Sequence, residues 1–164
     1  MKNITRFSKA RPLVSLVIML SFCLCVASCS KPLEKSPSEK FSEKLAEAVV
    51  KKRGNSDTVL IEFSKLTDFE WDSLFVFTPY TQVKEINAAL GYEWDDAAST
   101  GIDKFDQFNL LVFTLRGRVT RYVEHPRNLG EIHDYRGIKK EDAIFEVKDD
   151  EGGLYLVLVK AGKK

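Results

Sequence analysis

The alternation of apolar and polar positions divides the chain into short elements of two periods. Phe41, Leu45 and Val49 recur four residues apart, with Ala48 beside them, which predicts an amphipathic helix. Ser36 stands where its N-cap belongs, Pro37 at the first helical position and Glu39 three residues after the cap, so a capping box starts it. Gly54 is placed to end it. Its apolar stripe suits packing on its own domain, with docking to a partner or a membrane surface as the alternative. The period then changes to two. Thr58–Phe63 places Val59, Ile61 and Phe63 on one face of a strand. Lys65–Glu70 reads as a polar turn. Asp72–Thr78, with Leu74, Phe75, Val76 and Phe77 in succession, reads as a strand covered on both faces. Pro79 stops it, Thr81 is placed to cap a second helix with Val83, Ile86 and Leu90 as its inward stripe, and Gly91 follows as the left-handed terminator.

The second half is strand-rich. Gly91–Gln107 reads as a solvated loop carrying Glu93, Asp95, Asp96, Asp103 and Asp106, without the spacing of a calcium loop. Phe108–Leu115 and Arg118–Glu124 form a hairpin across Arg116-Gly117. Simple alternation in its second strand puts Val119, Arg121 and Val123 on one face, and Thr120, Tyr122 and Glu124 on the other. An arginine between two valines fits an edge, a cross-sheet carboxylate partner or a ligand contact. Arg127 to Asp142 reads as an irregular excursion containing Gly130 and Gly137. Ala143–Lys148 and Leu154–Lys160 form a second hairpin, and the last strand, apolar on both faces, is expected to be central or covered. The expected fold class is α+β: a two-layer domain with a mostly antiparallel sheet of about six strands and two helices.

Charge and cysteine content change the picture at the N-terminus. The chain has 164 residues, 25 bases and 24 acids, but residues 1–28 hold Lys2, Arg6, Lys9 and Arg11 and no acid. What remains is mildly acidic and has no basic block, which argues against nucleic acid as a partner. All three cysteines, Cys23, Cys25 and Cys29, lie in this first stretch. A basic segment ending at Arg11-Pro12, an apolar run from Leu13 to Val26 and small residues before Cys29 have the order of a secretory signal. The run is shorter than the roughly 20 residues a bilayer-spanning helix needs.

Val26-Ala27-Ser28-Cys29 resembles the lipobox of bacterial lipoproteins. Cys23 and Cys25 fit worse, because Phe22 and Leu24 precede them. The resemblance implies a diacylglyceryl group on the Cys29 sulfur, cleavage before it and fatty acylation, palmitate included, of the new terminus. The division that follows is a signal peptide over 1–28, a tether over 29–35 and a single domain over 36–164. The implied location is the bacterial cell membrane in the envelope. Ser30, where enteric inner-membrane lipoproteins carry aspartate, points to the outer membrane, facing the periplasm, in a Gram-negative host. Trp71 to Gly91, with Phe75-Val76-Phe77-Thr78-Pro79-Tyr80-Thr81 running from strand into helix, is similar to small envelope lipoproteins of unassigned function. The order of elements also faintly resembles the lipoprotein accessory subunit of outer-membrane assembly machinery.

No nucleophile elbow, phosphate loop or zinc-protease motif is present, so the sequence names no catalytic residue, metal ligand or cofactor. The expected function is a non-enzymatic binding or accessory module, contacting an envelope protein or a cell-wall component. Tyr80, Trp94, Arg121, Tyr122 and His125 are the candidate binding surface, although aromatics such as Trp71, Trp94, Tyr80 and Tyr122 more often finish a small domain's core. The competing reading is an envelope hydrolase or metal-dependent enzyme that uses His125 and His133 with Glu124, Glu131 or Asp134.

Overall fold

A computed structural model describes residues 35–51, 57–151 and 153–159. The lipobox, most of the tether and Gly54 lie outside them. The first helix, α1, spans Pro37–Val50. Its capping box is complete: the Ser36 hydroxyl accepts from the Glu39 amide, and the Glu39 carboxylate accepts from the Ser36 amide. Those two bonds, the backbone one first, hold the Glu39 carboxyl below the usual carboxylate range. Phe41, Leu45 and Val49 are fully buried, so the stripe packs on the helix's own domain.

Among the described residues, eight strands form two four-stranded sheets. The first sheet has the order β1-β7-β8-β5, from Val59–Glu62 (β1), Ile144–Asp150 (β7), Gly153–Leu158 (β8) and Glu131–Ile132 (β5). The second has the order β4-β3-β2-β6, from Arg118–Pro126 (β4), Phe108–Leu115 (β3), Ser73–Phe77 (β2) and Tyr135–Lys139 (β6). Every pairing is antiparallel except β5 with β8. The α+β class is as expected, with two sheets where one was expected. The apolar last strand is interior to its sheet, as its composition requires.

One core lies between the sheets. Ile61, Phe145, Val147 and Leu156 meet Leu74, Val76, Leu111 and Phe113 there, with the α1 stripe packed among them. Phe113 is its aromatic hub: the rings of Phe41, Phe69 and Trp71 approach it edge-on at 5.1 to 5.3 Å. Edge-on pairs of this kind contribute about 0.5–1.5 kcal/mol each beyond area burial. A second core covers the other face of the β4-β3-β2-β6 sheet. Phe77, Leu110 and Val112 pack there against Ile86 of a short helix, Val83–Leu90, and against Trp94, Ala97 and Ile102. The continuous apolar runs of β2 and β3 are thus explained, since both faces of the sheet are buried.

Several details differ from simple pattern reading. Phe63 is buried as expected, but it opens a four-residue helical turn, α2 (Phe63–Leu66), instead of ending β1. The Val83–Leu90 helix, α3, is capped by Gln82 without a side-chain bond, and Thr81 instead donates its hydroxyl to the Thr78 carbonyl at 2.6 Å. Gly91 terminates α3 in the left-handed region as expected. The loop after it is only partly solvated. Its acids face water or lie half-buried, whereas Trp94, Ala97 and Ile102 reach the second core and Asp95–Thr100 forms a 3-10 turn. The 127–142 excursion contains β5 and the edge strand β6.

The hairpin turn takes positive φ at both Arg116 (53°) and Gly117 (75°), as a tight two-residue connection demands. Beyond it the β3–β4 ladder shifts register, pairing Phe113 with Arg121 but Thr114 with Val119. Thr120 is the extra residue of a bulge, and its hydroxyl donates to the Phe113 carbonyl. The bulge breaks the expected alternation: Val119 joins Tyr122 against the second core, while Val123 belongs to the first.

Candidate functional site

The candidate site is a groove of about 710 Å³ between the start of α1, the Trp94–Asp96 turn and β4. Each wall has a local cause. The capping box fixes where α1 begins and so presents Ser38, Glu39, Ser42 and Glu43 in its first two turns. Ser38 ties the helix to the sheet by donating its hydroxyl to the Tyr122 carbonyl at 3.0 Å. That carbonyl belongs to an edge strand, so a side-chain hydroxyl there satisfies a group that no neighbouring strand reaches. The opposite wall is held by Asn87 on α3, whose side-chain oxygen accepts from the Trp94 amide at 3.1 Å. Trp94 then stands edge-on to Tyr122, with ring centroids 5.4 Å apart. The bulge at Thr120 sets the lip. Without it, Tyr122 would not share the Trp94 side of the sheet with Val119.

Three of the five residues selected from sequence, Trp94, Arg121 and Tyr122, therefore line one groove. Trp94 is buried and Tyr122 half-buried, so they form a floor more than a platform. Arg121 is exposed on the edge strand, and its guanidinium donates to the Thr120 carbonyl at 2.7 Å. Tyr80 and His125 are not among the residues that line it. Tyr80 is 58% exposed elsewhere, in the left-handed region at φ 66°. His125 is 1% exposed, so its ring cannot present a binding surface. It is committed to the Gly130 carbonyl at 2.8 Å; because a carbonyl only accepts, Nε2 carries the proton. Burial pushes the His125 pKa down to about 4, against the smaller opposing effect of that bond.

The groove's electrostatics are acidic. Glu39, Glu43, Asp96 and Glu124 face one cation, Arg121. Glu39 is engaged by the cap and Glu43 by Lys35. Asp96 and Glu124 make no ion pair among the described residues. The alternative constellation of histidines and acids is not assembled. His133 is exposed and stacks on Tyr155, Glu131 is paired with Arg127, and Asp134 with Arg136. Among the described residues no group of three or more His, Cys, Asp or Glu side chains is placed to hold a metal.

Sequence reasoning missed the α1 contribution to this site. Ser38 and Ser42 carry no signal beyond being polar positions beside an apolar stripe. Glu39 was legible only as a capping residue. The fold and site together define a two-sheet α+β domain with an acidic groove floored by an aromatic pair. Comparison of the chain with protein-family profiles, with curated proteins and with solved structures finds no match.

Proposed function

We propose that the protein is a lipid-anchored component of the bacterial cell envelope that acts as a non-enzymatic binding or accessory module. The observation that carries the anchor is Val26-Ala27-Ser28-Cys29 at the end of a basic-then-apolar leader, with no cysteine after it. Each buried methylene of an acyl chain contributes about 0.8 kcal/mol, so two or more chains on Cys29 hold a domain stably where one is marginal. Residues 29–35 then act as the tether, and Ser30 favours the outer membrane, facing the periplasm, in a Gram-negative host. The binding role is supported by the groove, which gathers Trp94, Arg121 and Tyr122 beside acids from α1, and by histidines that stand apart, His125 buried on the Gly130 carbonyl and His133 exposed beside Tyr155. The partner class is an envelope protein or a cell-wall component.

Two measurements test this reading. Metabolic labelling with a fatty-acid analogue should mark the chain, and Cys29→Ala should abolish the label and leave an unprocessed precursor. Persistent labelling of Cys29→Ala removes the anchor. Crosslinking in intact membranes with the native anchor should recover a specific partner, and recovery of nothing above background removes the binding role.

A further inference from the structure

We infer that the groove between α1 and β4 receives a cationic polypeptide segment, with lysine or arginine side chains lying between the Trp94–Tyr122 floor and the carboxylates of Asp96 and Glu124. This rests on the binding-module reading and names the chemistry of its partner. Three features argue for such an occupant. The first is charge complementarity. Four carboxylates from three separate elements line the groove; Glu39 is held by the helix cap and Glu43 by Lys35. The two that make no ion pair among the described residues, Asp96 and Glu124, stand beside Arg121, whose guanidinium is turned onto the Thr120 carbonyl. The second is distribution. No three of the groove's acids are placed to hold a metal ion, so the arrangement suits several spaced cationic groups rather than one compact cation. The third is size and lining. About 710 Å³ exceeds what one side chain fills, and the floor is apolar. Lysine and arginine have this dual nature, with an apolar stem to lay on aromatic carbon and a charged head to reach a rim of acids. An anionic glycan or phosphate would be repelled by the same rim.

The geometry also fixes which groups respond. Glu39 and Glu43 are occupied by Ser36 and Lys35, so the free attraction belongs to Asp96 and Glu124. Isotope-labelled full chain in a non-ionic detergent would be titrated with an unstructured peptide of four lysines spaced by Gly-Ser. The expected result is saturable shifts at the Trp94 indole and at the backbone amides of residues 119–124. Affinity should fall about three- to tenfold in the Asp96→Asn/Glu124→Gln double variant. It should hold in a Glu146→Gln/Asp149→Asn control on β7. The same peptide with glutamates for lysines should not bind. Shifts spread over all acidic surfaces, or equal losses in the two double variants, would mean unspecific charge attraction and overturn the inference. Absence of any shift in the groove overturns it too. If the groove stays silent while membrane crosslinking still recovers a partner, the module reading stands and the cationic assignment alone falls.

Discussion

Asn109 and His125 face each other across the β3–β4 ladder, and both direct their side chains to the backbone of one short segment. Asn109 donates to the Ile132 carbonyl at 3.0 Å and accepts from the Ile132 amide at 3.2 Å. His125 donates to the Gly130 carbonyl. Ile132 belongs to β5, in the other sheet, where it pairs with Leu156. A neighbouring pair of polar side chains on the β4-β3-β2-β6 sheet thus supplies hydrogen bonds to an edge of the β1-β7-β8-β5 sheet. Both side chains are at most 1% exposed, so these bonds form away from water, where an unmade partner is costly.

Replacing Asn109 with Leu keeps the volume and leaves the Ile132 amide and carbonyl without those partners. The expected loss is roughly 2–4 kcal/mol, from two buried backbone groups left unsatisfied. Urea unfolding measures it, and amide hydrogen exchange locates it. The Ile132 amide should exchange faster in Asn109→Leu, while amides of the β2–β3 ladder keep their relative protection. Unchanged exchange at Ile132 would show that the side chain does not hold this edge.

These contacts mark the boundary of what the sequence discloses. Periodicity located α1, β2, β3 and both hairpins, because each carries an apolar pattern long enough to see. The turn at Arg116-Gly117 was legible because a two-residue hairpin connection needs positive φ and glycine supplies it at low cost. β5 was not legible, since two residues cannot show a period. β6 was hidden because Ile138 is its only buried residue, and Gly137 sits within it at positive φ. The Thr120 bulge left no composition signal, yet it decides which side of the sheet Val119 faces. For the site, aromatic residues could be chosen by type. Position in the fold then separates Trp94, Arg121 and Tyr122, which line the groove, from the exposed Tyr80 and the enclosed His125, which do not. Ser38 and Asn87 act through single long-range hydrogen bonds, which no local pattern encodes.

The buried imidazole makes stability depend on pH in a defined window. The neutral ring fits the fold, and its pKa is about 4 in the folded chain against an ordinary value of 6.5. Between these two values the unfolded chain binds the proton and the folded chain does not, so unfolding is favoured as pH falls. Stability from this group is fully present above about pH 6.5 and is lost progressively down to about pH 4, below which both states are protonated. A shift of this size corresponds to roughly 3 kcal/mol. His125→Gln retains a donor for the Gly130 carbonyl and cannot titrate. Its unfolding free energy should therefore change less than the native chain's between pH 7 and pH 4. Parallel pH profiles for the two proteins would refute the assignment to His125.

Gly130 links these features, because its carbonyl receives His125 while its α-carbon meets the other sheet. Its φ is 119°, a region L side chains rarely adopt, and an added Cβ would stand 2.2 Å from Cδ1 of Leu156. Leu156 is fully buried, so it has little room to turn away. Gly130→Ala should destabilise the protein by roughly 2–4 kcal/mol through backbone strain and overpacking together. A second variant separates the two costs. Trimming the obstruction in Gly130→Ala/Leu156→Ala relieves the clash but not the dihedral strain, and it opens space in the core besides. The double variant should therefore be less destabilised than the sum of the two single variants, yet remain less stable than Leu156→Ala alone. Denaturant unfolding of all four proteins gives the coupling directly. Strict additivity would mean that Leu156 moves aside without cost, and a double variant as stable as Leu156→Ala would mean that the φ of residue 130 carries no strain.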